Sequence, residues 1–264
     1  MKHLTERISS DLISNLQPNE IFVFGSNESG YHGGGAAKLA MQWGAEWGNP
    51  VGLQGQTYAI PTKSEYIRRT LTVDEIKVYA DIFLRFAKAT PELTFLVTEI
   101  GCGLAGLTPA EIAPLFAGAY TISNILLPQR FVNVLQTKRQ KFVLDTLLPY
   151  FKDPSTCATT EDGQCAYLTK DGRKCAVGKH MNPGPWQHKI EAAHSLIGNF
   201  RPEDVLTEEA YKQFLSPSSW EKIQNVHDTL AYAKDKSSDD VLKVAIARLE
   251  DNLKLNFNEL RENL

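Results

Sequence analysis

Short apolar runs, separated by polar turns that contain glycine, set the pattern over the first half of the chain. The runs at 20–25, 57–60, 94–100 and 131–136 have strand length and little alternation, as in strands buried on both faces. Between them the apolar positions recur at helical spacing. Ala36, Leu39, Ala40 and Trp43 fall at i, i+3, i+4 and i+7, a core-facing stripe over 35–44. Thr72-Val73-Asp74-Glu75 is a capping box that opens a helix through about residue 89. Thr108-Pro109-Ala110-Glu111 is a second one, with proline at the first helical position. Strands alternating with helices predict a layered α/β domain with a largely parallel sheet, and such sheets hold ligands at the carboxyl ends of their strands.

The pattern changes near Lys152, which predicts domains over 1–152 and 153–264. Residues 153–187 are rich in Asp, Pro, Thr, Gly and Cys, and from about 188 the pattern is helical. Asp171-Gly172 between two β-type segments predicts a hairpin over 165–178, in an otherwise mainly helical second domain. Such a hairpin brings Cys165 and Cys175 face to face, with His180, His188 and His194 nearby. Their nine-residue separation is not a zinc-knuckle spacing, so the reading is reduced core thiols and no metal. Ser218-Ser219-Trp220-Glu221 is a third capping box. Leu242, Ile246, Leu249, Leu253, Phe257 and Leu260 form an apolar seam that fits either its own domain or a second copy of the chain; packing on its own domain is the ordinary case. His227-Asp228 is a dyad or a plain helix-face pair; neighbours i and i+1 on a helix do not usually face each other.

Composition narrows the class. The chain has 264 residues, 42% hydrophobic and 22% charged, enough for one large or two modest domains. A net charge of -3 argues against a nucleic-acid partner. No apolar run approaches the roughly 20 residues that cross a bilayer, and the first residues lack a signal-peptide core. The expected place is the cytoplasm, with Cys102, Cys157, Cys165 and Cys175 reduced. Nothing in the sequence calls for a cofactor.

The candidate chemistry lies in two glycine loops. Gly25-Ser26-Asn27-Glu28-Ser29-Gly30-Tyr31-His32-Gly33-Gly34-Gly35-Ala36-Ala37 follows the run Ile21–Phe24 and precedes a helical stretch. Gly101-Cys102-Gly103-Leu104-Ala105-Gly106 follows another strand-like run. Glycine lets main chain approach an anion closely, and a helix start offers unpaired N–H groups. Two such loops read as a nucleotide diphosphate cradle, against the alternative of glycine turns that serve helix–sheet packing. The expected ligand contacts are Ser26, Asn27, Gly33, Gly34, Gly35 and Ala36, with Gly101, Cys102, Gly103, Leu104, Ala105 and Gly106 opposite. Asn27 offers an amide to a sugar hydroxyl. His32 is either a general acid or base or a loop histidine bonded to backbone or ligand. Cys102 is either a thiolate near a helix start or a packing residue beneath the phosphates, and the second is favoured. Gln54, Gln56 and Lys63 are secondary candidates.

These residues resemble the macrodomain family. Its signature, Asn-Ala-Ala-Asn, five residues, then three glycines, matches Phe24-Gly25-Ser26-Asn27, five residues, then Gly33-Gly34-Gly35. Residues 52–63 and 100–106 also resemble a macrodomain-like group found in phages and bacteria, and this likeness spans about 18–135. The resemblance implies a three-layer mixed sheet flanked by helices that binds ADP-ribose or a related nucleotide. It puts Asn27 on the distal ribose and Gly101–Gly106 on the phosphates. The chain departs from the pattern in three places. Phe24 replaces the first asparagine, Gln17-Pro18-Asn19-Glu20 replaces the segment whose aspartate contacts adenine, and Gln42-Trp43 replaces the paired glutamates of the glycohydrolase branch. The segment from Cys165 to Gly178 and that from Trp220 to Asp228 resemble a small module that recurs in phage and bacterial proteins. A phage-encoded chain would work in the host cytoplasm. Three functions stay open at this point. One is binding of an ADP-ribosyl compound with hydrolysis by water attack at the anomeric carbon, Asn27 fixing the ribose and His32 or a phosphate activating the water. The others are sequestration of a nucleotide immune signal without turnover, and a structural or interaction role.

Overall fold

The run Ile21-Phe22-Val23-Phe24 lies at the centre of a six-stranded sheet in the computed structural model, which describes residues 2–161, 165–184, 202–233 and 237–263. The strands are β1 (Ile8–Ser9), β2 (Glu20–Asn27), β3 (Gly52–Gln54), β4 (Thr57–Lys63), β5 (Thr94–Val97) and β6 (Ile125–Pro128). Their order is β1-β6-β5-β2-β4-β3, with every pairing parallel except the β3–β4 edge. The protein is therefore α/β with a mixed sheet. Successive strand residues face opposite sides. Ile21 and Val23 accordingly join Tyr58, Ile60, Phe95 and Val97 in one core cluster, while Phe22 and Phe24 join Ala59 and Leu96 in another. A sheet covered on both faces is what an unbroken apolar run requires.

Helix α1 (Gly35–Ala40) packs Ala37 and Ala40 onto the second cluster. Helix α2 (Val73–Ala89) packs Ile76, Ala80, Phe83 and Ala87 onto the first. The capping box at Thr72 is formed in both directions; at Thr108, which starts α3 (Pro109–Ile112), the Glu111 carboxylate accepts from the Thr108 amide and hydroxyl. The strand expected at 131–136 is instead the start of helix α4 (Gln129–Lys152). Phe131, Val132 and Leu135 are buried together at helical spacing, and the sixth strand lies earlier, in Ile125–Pro128. Arg7 is buried at the β1 end and donates to the carbonyls of Ala119, Ile122 and Ile125 at 2.6, 2.8 and 2.7 Å.

The chain divides into two compact units at Leu135/Gln136, inside α4, rather than at the composition change near Lys152. The second unit has its own core. Helix α5 (Pro217–Ala231) starts at Ser216, whose side chain accepts from the Ser219 amide, two residues before the expected cap at Ser218. Pro217 takes the first helical position, which its fixed φ and missing N–H suit. Helix α6 (Ser237–Leu253) and the turn Asn258–Arg261 carry the apolar seam. Leu242, Ile246, Leu249, Leu253, Phe257 and Leu260 are all buried in this unit's core, around Trp220 and Ile223. The seam is used within the unit.

The hairpin is realised as a turn rather than a ladder. Gly172 takes φ +87 at the tip, the Thr169 amide donates to Arg173, and a single bridge pairs Leu168 with Lys174. Cys165 bridges to Thr159 and the Cys175 amide donates to Tyr167, so the two cysteines are not opposite each other. His188, His194 and the helical pattern from about 188 to 201 lie outside the described residues. All four cysteines carry free thiols. Among the described residues, no helix is long and apolar enough to cross a membrane.

Candidate functional site

The chain leaves β2 through α1 to reach β4 on one side of it, then returns through α2 to β5 on the other. The two helices lie on opposite faces of the sheet. Consecutive connections thus part at β2 and β5, and the crevice at such a switch point is where open α/β sheets hold ligands. A cleft of about 660 Å³ lies there. The end of β2 supplies Ser26 and Asn27, the segment after it supplies Gly33, Gly34, Gly35 and Ala36, and the segment after β5 supplies Gly101, Gly103, Leu104 and Ala105.

The two glycine loops meet. A Cβ built on Gly34 would lie 3.3 Å from Leu104 Cδ1, and one on Gly35 would lie 3.6 Å from it. A Cβ on Gly33 or Gly103 would meet nothing within 4 Å, so these two glycines border open space. The amides of Gly33, Gly34, Gly103, Leu104 and Ala105 find no protein acceptor among the described residues. Free amides in glycine-rich loops are the donors that anion-binding nests use.

The side chains around the cleft are largely committed to main chain. Asn27 Nδ2 donates to the Tyr31 carbonyl at 2.7 Å, and its Oδ1 accepts from the Ser29 and Tyr31 amides at 3.2 and 3.0 Å. Asn27 therefore folds the loop that carries it. Ser26 Oγ donates to Pro50, Thr62 Oγ1 to Ser26 and Thr98 Oγ1 to Val23. At Gly30, with φ +67, a Cβ would sit 2.5 Å from the Asn49 amide nitrogen, so only glycine lets segment 48–49 lie against the loop. Gln54 holds the same segment from below, accepting from Glu46 at 2.8 Å and donating to Asn49 at 3.1 Å.

Several expected contacts lie elsewhere. His32 is buried beneath the loop and does not line the cleft. Its Nε2 faces the Asn49 carbonyl at 3.2 Å and its ring meets Phe24 edge-on at 5.3 Å. Burial lowers its pKa and favours the neutral ring, partly offset by the Asn49 and Glu46 carbonyls, which accept from the ring. The Cys102 thiol points at the Ile100 carbonyl, 3.5 Å away, and burial with nearby Glu99 pushes it up to about 11. It is a packing thiol, not a thiolate. Gly106 closes its loop by donating to Gly103, and Gln56 donates to Gln17 and Glu20, so neither lines the cleft.

Of the secondary candidates only Lys63 lines it. The sequence reading missed Tyr31, Trp47 and Glu99. Tyr31 and Trp47 stack with centroids 5.3 Å apart and planes 17° from parallel, and Trp47 is 60% exposed. An exposed tryptophan beside a glycine loop was the signal available for that pair. Glu99 pairs with Arg130 at 2.7 Å.

Fold and site together define an α/β unit with a cleft between two glycine loops at the switch point of its sheet. Comparison with protein-family models, curated proteins and solved structures gives no match to this chain.

Proposed function

We propose that the first unit binds ADP-ribose or a related ADP-ribosyl nucleotide in the macrodomain manner. The observation that carries this reading is the meeting of two glycine loops, from different strands, across one cleft at the carboxyl edge of a parallel sheet. The free amides of Gly33, Gly34, Gly103, Leu104 and Ala105 suit the diphosphate, with Lys63 as the nearby cation. The family's adenine-contacting aspartate has no counterpart in Gln17-Pro18-Asn19-Glu20. The Tyr31–Trp47 stack offers the base an aromatic face instead, which tolerates any base. Asn27 contributes through the shape of its loop.

Binding without turnover is favoured over hydrolysis. The titratable side chains on the cleft are Tyr31, Lys63 and Glu99, and Glu99 is held by Arg130. His32 is withdrawn from the cleft, so the general-base role considered for it has no geometric support. Sequestration of a nucleotide signal therefore fits better than cleavage of an ADP-ribosyl bond.

Isothermal titration with ADP-ribose tests the reading. Heat of binding that Trp47→Ala reduces supports it. No heat at millimolar ligand sinks it and leaves a structural or interaction role. Release of free ADP-ribose from an ADP-ribosylated protein panel would restore hydrolysis.

A further inference from the structure

We propose that the second unit binds a zinc ion on Cys165, His227 and Asp228. One sulfur, one imidazole nitrogen and one carboxylate oxygen from these residues lie within 4.8 Å of one another. Thiolate, imidazole and carboxylate together are a zinc donor set, softer than calcium or magnesium sites use. A tetrahedral ion with bonds of about 2.0–2.3 Å sets its ligand atoms roughly 3.3–3.8 Å apart, so closure needs shifts of about an ångström.

The surroundings point the same way. His227 and Asp228 are helix neighbours, yet their side chains meet, with Nδ1 and Oδ1 at 2.8 Å. His227 is fully buried and, among the described residues, its Nε2 has no hydrogen-bond partner; Asp228 is partly exposed and opens the cluster to solvent. Gln224 fixes the carboxylate. Its Nε2 donates to Asp228 Oδ1 at 2.5 Å while its Oε1 accepts from the Val177 amide at 3.2 Å. Outer contacts of this kind orient metal ligands. Burial pushes the Cys165 thiol up to about 12, so an ion has to displace its proton. Binding replaces the Cys165 thiol proton and any proton held between Nδ1 and Oδ1, both released to solvent. The competing reading is a buried thiol beside a His–Asp pair that only stabilises α5. In that reading the Cys165 thiol is a hydrogen-bond partner of Asp228 and no ion is taken up, which the test below distinguishes.

The test uses the full chain, stripped of metal and then loaded with Zn²⁺ or Co²⁺. One ion per chain should survive dialysis, and the Co²⁺ form should show thiolate-to-metal charge-transfer absorption. Cys165→Ser and His227→Gln should abolish that absorption, with Cys102→Ser unchanged. Alkylation of the wild-type chain, mapped by mass spectrometry, needs no variant. Zn²⁺ should slow modification of Cys165 at least tenfold and leave Cys102 unaffected. Folded wild-type chain that takes up neither ion, or equal alkylation of Cys165 with and without Zn²⁺, would overturn the proposal. Loss of Co²⁺ absorption in Cys102→Ser would overturn it as well.

Discussion

The two units assemble their candidate chemistry from different parts of the chain. In the first, the cleft is made of main chain at the ends of parallel strands, and its polar side chains are spent holding loops, as Asn27 and Ser26 are. In the second, the cluster is made of side chains carried by a short bridge at Cys165 and by one turn of α5. A main-chain site needs glycine, because a Cβ or a fixed φ would block the ligand or the loop. A side-chain cluster instead needs packing exact enough to bring distant donors together. The first kind tolerates added side chains at open glycines, while the second depends on close approaches that tolerate none.

The largest expected effect breaks the second unit at such an approach. A Cβ on Gly178 would lie 2.0 Å from the Tyr167 carbonyl oxygen. Main chain must move to admit it, and the same turn holds the Cys175 sulfur and supports Gln224. Gly178→Ala should therefore cost about 4 kcal/mol or more in denaturant unfolding, the range of severe core lesions. A loss below about 1 kcal/mol would mean the turn is plastic, and the contrast between the units would weaken.

A smaller effect in the second unit is set by pH. The His180 ring is partly buried against Phe142 and Trp220, with Nε2 2.8 Å from Thr146 Oγ1. Since that hydroxyl donates to Phe142, the imidazole supplies the proton between them, and the neutral ring satisfies the bond. Burial, with some help from Lys179, lowers its pKa from 6.5 to about 4. The unfolded chain takes up a proton near 6.5 and the folded chain only near 4, so the unfolded state binds more protons between these values. Stability is full above about pH 6.5 and falls as pH drops toward 4, by about 3 kcal/mol in all. Urea midpoints across that window measure the loss, and His180→Gln should flatten it. The buried His32 of the first unit shares the direction, so the double variant His32→Gln/His180→Gln separates the two contributions.

Legibility in the sequence follows the same division. The strand run Ile21–Phe24, the caps at Thr72 and Thr108 and both glycine loops are local patterns, and each lies where its spacing put it. Local patterns failed where tertiary packing decided. Phe131-Val132-Asn133-Val134-Leu135 has the β-branched content of a strand but turns helical, because Phe131, Val132 and Leu135 fill one core face. β1 and β3 are too short to carry a period. His32 stayed open between an acid or base and a backbone-bonded loop histidine because a loop position says nothing of burial, which segment 48–49 supplies by lying against it. The meeting of Cys165 with His227 and Asp228 spans a long stretch of chain with no fixed spacing, so no motif announces it.

The smallest structural effect gives the sharpest test of the first unit. A Cβ on Gly33 would meet nothing within 4 Å, and its φ lies outside the left-handed range, so a larger residue fits the folded chain. Gly33→Val should change unfolding stability by no more than about 0.5 kcal/mol. The same two methyl groups would project into the space assigned to the diphosphate, beside the free amides of Gly33 and Gly34. ADP-ribose affinity should fall at least tenfold, about 1.4 kcal/mol by titration. A variant that is stable and yet binds as the wild type does would separate the open glycine from the ligand. Gly33 would then serve loop shape alone, as Gly30 does, and the distinction between a main-chain site and a side-chain site would have to rest on the second loop.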